Sequence, residues 1–265
     1  MIKLVAFLRR DFRIGLSYKM NMLMNLIGMG LELLMFFFLS KAFKGVGFIE
    51  RYGEDYFPYV LIGIAVSNFV TVGLNSLSEQ VRSAQVEGTL EALLGTPTSI
   101  YTILIGNSLS TLLAAFGSAV LLLSGSFLFV KVAVSPAAVA ACVLILIMTF
   151  LAFLSIGMLS AAFIMVFKRG NPISFLFGWS SFFLGGIFFP VEVLPLPIAS
   201  LSQFLPITHA VHAIRELLLV GVPVSSVFPE ILKLLLFFAV AGPLGAVFFR
   251  FAVKRAKKEG SLIQY

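Results

Sequence analysis

The sequence predicts an all-α integral membrane protein with six transmembrane helices, an N-terminal amphipathic helix at the interface, and re-entrant external helices between spans five and six. Three observations predict it. Of the 265 residues, 60% are hydrophobic and only 12% charged, with a mean hydropathy of +1.06. Soluble domains run nearer half apolar and a quarter charged, and a water-soluble fold could not hide this much apolar surface. The apolar residues also gather into runs of about 20, the length that crosses a bilayer core. Finally, the basic residues cluster at the two termini and in one short loop beside apolar runs. The net charge of +7 therefore reads as orientation and as attraction to anionic headgroups, not as a nucleic-acid footprint.

The elements follow in order. Residues 2–19 read as an interfacial amphipathic helix, with Leu4, Phe7, Leu8, Phe12 and Leu16 at helical spacing and Arg9, Arg10 and Arg13 elsewhere around it. This mixture of charge and apolarity leaves no uninterrupted apolar core for a signal peptide. Spans are expected at about 22–43, 58–77, 101–130, 137–167, 172–189 and 231–251 of a single transmembrane domain covering 1–265. The third and fourth are long enough to tilt or project. The stretch 78–99 is the most polar interior segment. Residues 190–228 carry Pro190, Pro195, Pro197, Pro206 and Pro223 among apolar residues, and so are expected to dip back into the membrane as short helices.

Six spans place both termini on one side. Thirteen of the 19 basic residues fall on that side: Lys3, Arg9, Arg10, Arg13, Lys19, Arg82, Lys168, Arg169, Arg250, Lys254, Arg255, Lys257 and Lys258. Lys41, Lys44, Arg51, Lys131, Arg215 and Lys233 fall on the other, so both termini are expected in the cytoplasm.

Chemistry has little to stand on. The chain has no G-x-x-x-x-G-K-[ST], no H-E-x-x-H, no G-x-S-x-G and a single cysteine, Cys142. His209, His212 and Glu216 could share a helix face and hold zinc, but such histidines are more often solvated or hydrogen-bonded, and no metal is expected. Glu32 sits mid-span, where a charge is costly, and shares a face with Asn25 and Gly28. That face reads either as pathway or subunit contact, or as a protonated structural glutamate. Asn68, Thr71 and Asn75 give the second span a polar stripe, and Gly106, Ser110, Ala114 and Ser118 give the third a stripe of small residues. Both stripes read first as packing.

The cytoplasmic stretch runs Glu87-Gly88-Thr89-Leu90-Glu91-Ala92-Leu93-Leu94-Gly95-Thr96-Pro97. Later come Gly186-Ile187-Phe188-Phe189-Pro190, Leu194-Pro195, Leu205-Pro206, and His209 through Arg215. Together, and in this order, they resemble the coupling segment and the external segment after the fifth span of the ABC type-2 export permeases. The resemblance covers nearly the whole chain.

It implies a membrane-spanning subunit without a catalytic site of its own, which works in an ATP-hydrolysing translocase of the cytoplasmic (inner) membrane. Glu87, Gly88, Thr89, Leu90, Glu91, Leu94 and Pro97 are then expected to dock on an ATPase subunit present in two copies. Glu87 and Glu91, taken as one helical turn apart, offer a negative pair, while Leu90, Leu93 and Leu94 offer an apolar patch. ATP and magnesium sit on that partner, and this chain binds no cofactor. A second permease copy, most simply an identical one, completes the pathway. Asn25, Gly28, Glu32, Asn68 and Asn75 are expected along it or at the subunit contact. Phe189, Pro190, Pro195, Pro206, His209 and Arg215 are expected in the external re-entrant segment. The Phe-rich spans, with six tyrosines and one tryptophan, favour a hydrophobic or amphiphilic drug or lipid as cargo over a polysaccharide. A proton-coupled secondary transporter would need an inverted repeat and several intramembrane ionisable residues, which the sequence lacks.

Overall fold

The computed structural model describes residues 9–10, 13, 17–43, 47–53, 55–90, 95, 100–127, 135–168 and 170–259. Every regular element among them is helical: α1 Lys19–Ala42, α2 Tyr56–Val86, α3 Ile100–Phe127, α4 Pro136–Phe167, α5 Pro172–Leu184, α6 Leu196–Ser202, α7 Pro206–Arg215 and α8 Phe228–Glu259. A 3₁₀ helix, Gly47–Tyr52, lies between α1 and α2, and a π turn, Glu216–Val220, continues α7. Among the described residues four stretches are long and apolar enough to cross a membrane: Met22–Ala42, Tyr56–Val86, Pro136–Phe167 and Val224–Lys258. The expected interfacial helix 2–19 lies mostly outside the described residues; Arg9, Arg10, Arg13 and Ser17 are helical and exposed.

α4 is the axis of the bundle, packed between α2 and α8, with α3 against the far side of α2. Two glycine contacts set these spacings. A Cβ on Gly157 would sit 2.5 Å from the Gly73 carbonyl oxygen, so α2 and α4 touch backbone to backbone. A Cβ on Gly245 would meet the Ser155 carbonyl oxygen at 2.7 Å, which does the same for α4 and α8. Close approach of small residues is how helices gain contact in lipid, where burial of apolar surface gives little drive. α4 starts on Ser135, whose Oγ accepts from the Ala138 amide at 3.1 Å, with Pro136 in the first turn. It stops at Lys168, in the left-handed region at φ 56°.

Several boundaries differ from the sequence expectation. α2 runs nine residues past Leu77, because Leu77 and Val81 continue the buried stripe against Ala161, Met165 and Phe249, and Ala84 beyond them is buried too. Residues 78–86 are thus helix rather than loop. The motif helix does not begin at Glu87 either. Gly88, at φ +68°, turns the chain out of α2, with the Thr89 amide donating to Ala84 O (2.9 Å) and the Gly88 amide to Gln85 O (3.2 Å). These are the paired bonds of a glycine-terminated helix end. Glu87 therefore closes α2. Glu91, Leu93, Leu94 and Pro97 lie outside the described residues.

α5 ends at Leu184, after 13 residues, where Gly185 and Gly186 break it. At about 1.5 Å per residue it spans about 20 Å, short of the roughly 30 Å hydrocarbon core. On α3 the buried residues include Gly106, Ser108, Ala115, Ala119 and Leu122, while Ala114 of the stripe of small residues is exposed. Phe116, edge-on to Phe69 at 4.9 Å, sets this rotation, since the ring needs the interface.

Candidate functional site

Arg215 is 3% exposed at the end of α7, wedged among α2, α4 and the bend after α5. Its Nε and Nη2 donate to Tyr59 O (3.1 and 3.0 Å), Nη2 also to Ile187 O (2.7 Å), and Nη1 to Gly186 O (2.6 Å). The guanidinium carbon lies 3.4 Å from the centre of the Tyr59 ring. The Tyr56 hydroxyl donates to Phe188 O at 2.9 Å. Buried backbone carbonyls outside a helix need donors from elsewhere in the protein. Here an arginine fork and a tyrosine supply them for residues 186–188, which the glycine break releases from α5. Gly63 makes room: a Cβ there would meet Ile187 O at 2.6 Å and Arg215 Nη2 at 2.9 Å. Burial pulls the Arg215 pKa down to about 10, which still leaves it charged near neutrality.

Around this wedge, the buried Glu216 carboxylate meets exposed Arg51 at 2.9 Å, which holds the Arg51 guanidinium more firmly protonated. His212 stands 3.9 Å from the same carboxylate. His209 turns away and bonds Gln203 O at 2.8 Å, and burial lowers its pKa. The two histidines and Glu216 therefore share no centre, and no metal-holding cluster occurs among the described residues. Pro190 and Pro206 are buried, Phe189 half-buried and Pro195 exposed. Pro206 opens α7, whose Ile207, Ala210, Val211 and Ile214 are almost fully buried among the long helices.

The second feature is a groove of about 570 Å³ between α2 and α5. One wall is polar: Thr71, Asn75, Ser78, Glu79 and Arg82. The other is aromatic: Phe175, Trp179 and Phe182. Its floor is a hydrogen-bonded knot. Asn171 Nδ2 donates to Ser78 Oγ (3.2 Å), Ser174 Oγ donates to Leu74 O (3.3 Å) and lies 3.0 Å from Ser160 Oγ, and Ser160 Oγ also bonds Asn171 Oδ1. Asn171 caps α5 by accepting from the Ser174 amide at 3.1 Å. Trp179 stacks on Phe183, with ring centres 5.4 Å apart.

The expected pathway residues divide. Asn75 lines the groove; Asn68, half-buried one turn before Thr71, does not. Asn25 and Gly28 are exposed, nothing among the described residues lies within 4 Å of a Gly28 Cβ, and Glu32 is half-buried. At the coupling stretch Glu87, Gly88 and Thr89 are exposed, Leu90 is 2% exposed, and Ser83 Oγ bonds Glu87 Oε1. Sequence reasoning missed the aromatic wall, the Tyr56–Tyr59 support and Gly63. The groove had one readable signal: Thr71 and Asn75 continue at a four-residue step to Glu79.

Long apolar helices around a tightly packed axis, with a polar groove opening on an apolar surface, define a polytopic membrane permease. The family model of the ABC-2 type transporter matches residues 3–219, and the chain belongs to that family. It is therefore the transmembrane permease of an ABC-2 type transporter, a class that pairs with ABC ATPase subunits. A comparison with curated proteins gives no match.

Proposed function

We propose that two copies of this permease form the pathway of an ATP-driven exporter, with the α2/α5 groove on its inner wall and a hydrophobic or amphiphilic molecule as cargo. The carrying observation is the groove itself. Thr71, Asn75, Glu79 and Arg82 stand beside Phe175 and Trp179 on a surface that is otherwise apolar. Thr71 and Asn75 lie within the apolar stretch of α2, where polar side chains facing lipid are costly, so this part of the wall fits a lumen or a partner. α1, with Leu23, Leu31, Leu34, Met35 and Phe38 exposed, offers the apolar flank for a second copy or for lipid.

In this reading the six apolar segments each traverse the bilayer, with α5 completed by the 185–189 bend, and α6 and α7 re-enter from outside. Both termini face the cytoplasm, as the basic-residue distribution favours. The stretch 87–97 docks on the ATPase. Glu87 is exposed at the end of α2, so force on the docked stretch passes directly into the helix that carries the groove's polar wall. ATP binding moves the pathway outward to the extent that the two states bind the ATPase pair with different affinity.

The test is co-purification from the native host, with a Glu87→Arg, Glu91→Arg double variant beside the wild type. An ATPase that arrives with the wild type and is lost with the variant supports the coupling role; a chain that purifies alone and transports without ATP overturns the reading. The pathway is tested apart from this: Gly178→Phe, which fills the groove, abolishes ATP-driven flux in the reconstituted complex, and unchanged flux removes the groove from the path.

A further inference from the structure

We infer that the α2/α5 groove holds a zwitterionic headgroup, a phosphate beside an ammonium, of a single- or double-chain amphiphile. The inference rests on the pathway reading and names the class of cargo. Glu79 and Arg82 are three residues apart on α2 and both line the groove, yet among the described residues neither forms an ion pair, with the other or with a third group. Two opposite charges on one wall and unpartnered match a ligand that carries both signs. A guanidinium presents the planar fork that recognises phosphate oxygens, and Arg82 supplies it. An ammonium is held by a carboxylate and by aromatic faces, which Glu79 and the rings of Phe175 and Trp179 supply across the groove.

Depth agrees with this assignment. The apolar stretch of α2 closes near Leu77, so Glu79 and Arg82 stand within the first turns beyond it, where headgroups lie. Asn75 and Phe182 stand deeper, where a glycerol-like linker and an acyl chain would run. A volume of about 570 Å³ lies within the range of small-ligand sites and suits a headgroup with the start of a chain.

Trp179 is the chain's single tryptophan, so its emission reports on this wall. The full-length protein in uncharged maltoside is titrated with three amphiphiles of equal chain length, each brominated in the chain: a phosphocholine, a phosphoglycerol and a trimethylammonium. The expected result is saturable quenching with the tightest apparent Kd for the phosphocholine. Arg82→Gln weakens it roughly tenfold, as does Glu79→Gln, and Glu79→Gln leaves phosphoglycerol binding unchanged. Both variants alter exposed residues, and an unchanged melting profile shows that they fold. Equal Kd values for the three amphiphiles, with both variants binding as wild type, overturn the headgroup assignment even where Gly178→Phe still blocks flux. No quenching by any of the three, with a cysteine at Phe175 cross-linking to a second copy, shows the groove closed by that copy and also overturns it. Failure of the pathway reading looks different: charge-selective quenching persists in the wild type, Gly178→Phe abolishes it, and ATP-driven flux is unaffected. That pattern makes the groove a resting lipid site and removes the cargo assignment.

Discussion

At the scale of single residues, Arg215 carries the largest consequence. It brings a charge inside the bundle and offsets the cost with four hydrogen bonds to three carbonyls, none of them from an acid. Arg215→Met keeps length and apolar bulk but takes the fork from the Ile187 carbonyl and leaves the Gly186 carbonyl only the Tyr59 hydroxyl, at 3.4 Å. The expected loss is on the order of 3 kcal/mol, read as a lower melting temperature in detergent; Arg215→Lys recovers only part of it, because a point ammonium cannot bridge all three oxygens. His209 gives a pH dependence. Burial lowers its pKa below the usual imidazole value, so the neutral ring's contribution is complete above about pH 6.5 and is lost as the pH falls through the lowered folded value. Melting temperature is therefore expected to drop between pH 7 and 5, with a shallower drop in His209→Gln; identical slopes refute the assignment. Gly63 is the third such position. Gly63→Ala forces Ile187 O and the Arg215 fork apart, with a cost of about 1–3 kcal/mol in the same melting assay.

At the scale of elements, α4 organises the bundle through Gly157 and Ser155. Gly157→Val is expected to prise α2 from α4, since even a single Cβ would lie 2.5 Å from the Gly73 oxygen. Lower melting temperature and loss of the Trp179 environment, through the Ser160–Asn171–Ser78 knot, should appear together. The same element shows how far the sequence could be read. Pro136 and the run to Phe167 gave α4 to within a residue, because a proline start and an apolar composition are local signals. The end of α2 was hidden, since its last nine residues are polar by composition and are held in the helix by Val81, which packs with Met165 and Phe249. α5 was read too long for the opposite reason: hydropathy continues through residues 185–189, while the glycine pair ends the helix.

At the scale of the whole molecule, the proposed pathway sets a second copy against the apolar face of α1 and the open groove. Cysteines introduced singly at Leu31, Met35 and Phe38, all exposed on α1, are expected to form disulfide-linked dimers in the native membrane, whereas a cysteine at Ile145, fully buried in α4, is not. Uniform failure along α1 would leave that face to lipid.

The sequence by itself determined the membrane class, the order of apolar helices, the family through its two motifs, and Arg215 and Asn75 as residues to watch. These follow from composition, run length and local spacing, which need no partner in space. Only the tertiary structure decided that Arg215 takes carbonyls rather than an acid, that His209 and Glu216 part company, and that Glu79, Arg82 and Trp179 face one groove. The Arg215–Tyr59 contact joins residues 156 positions apart, and what fixes such contacts is backbone approach at glycines and the need to satisfy each buried polar group, neither of which hydropathy or period records.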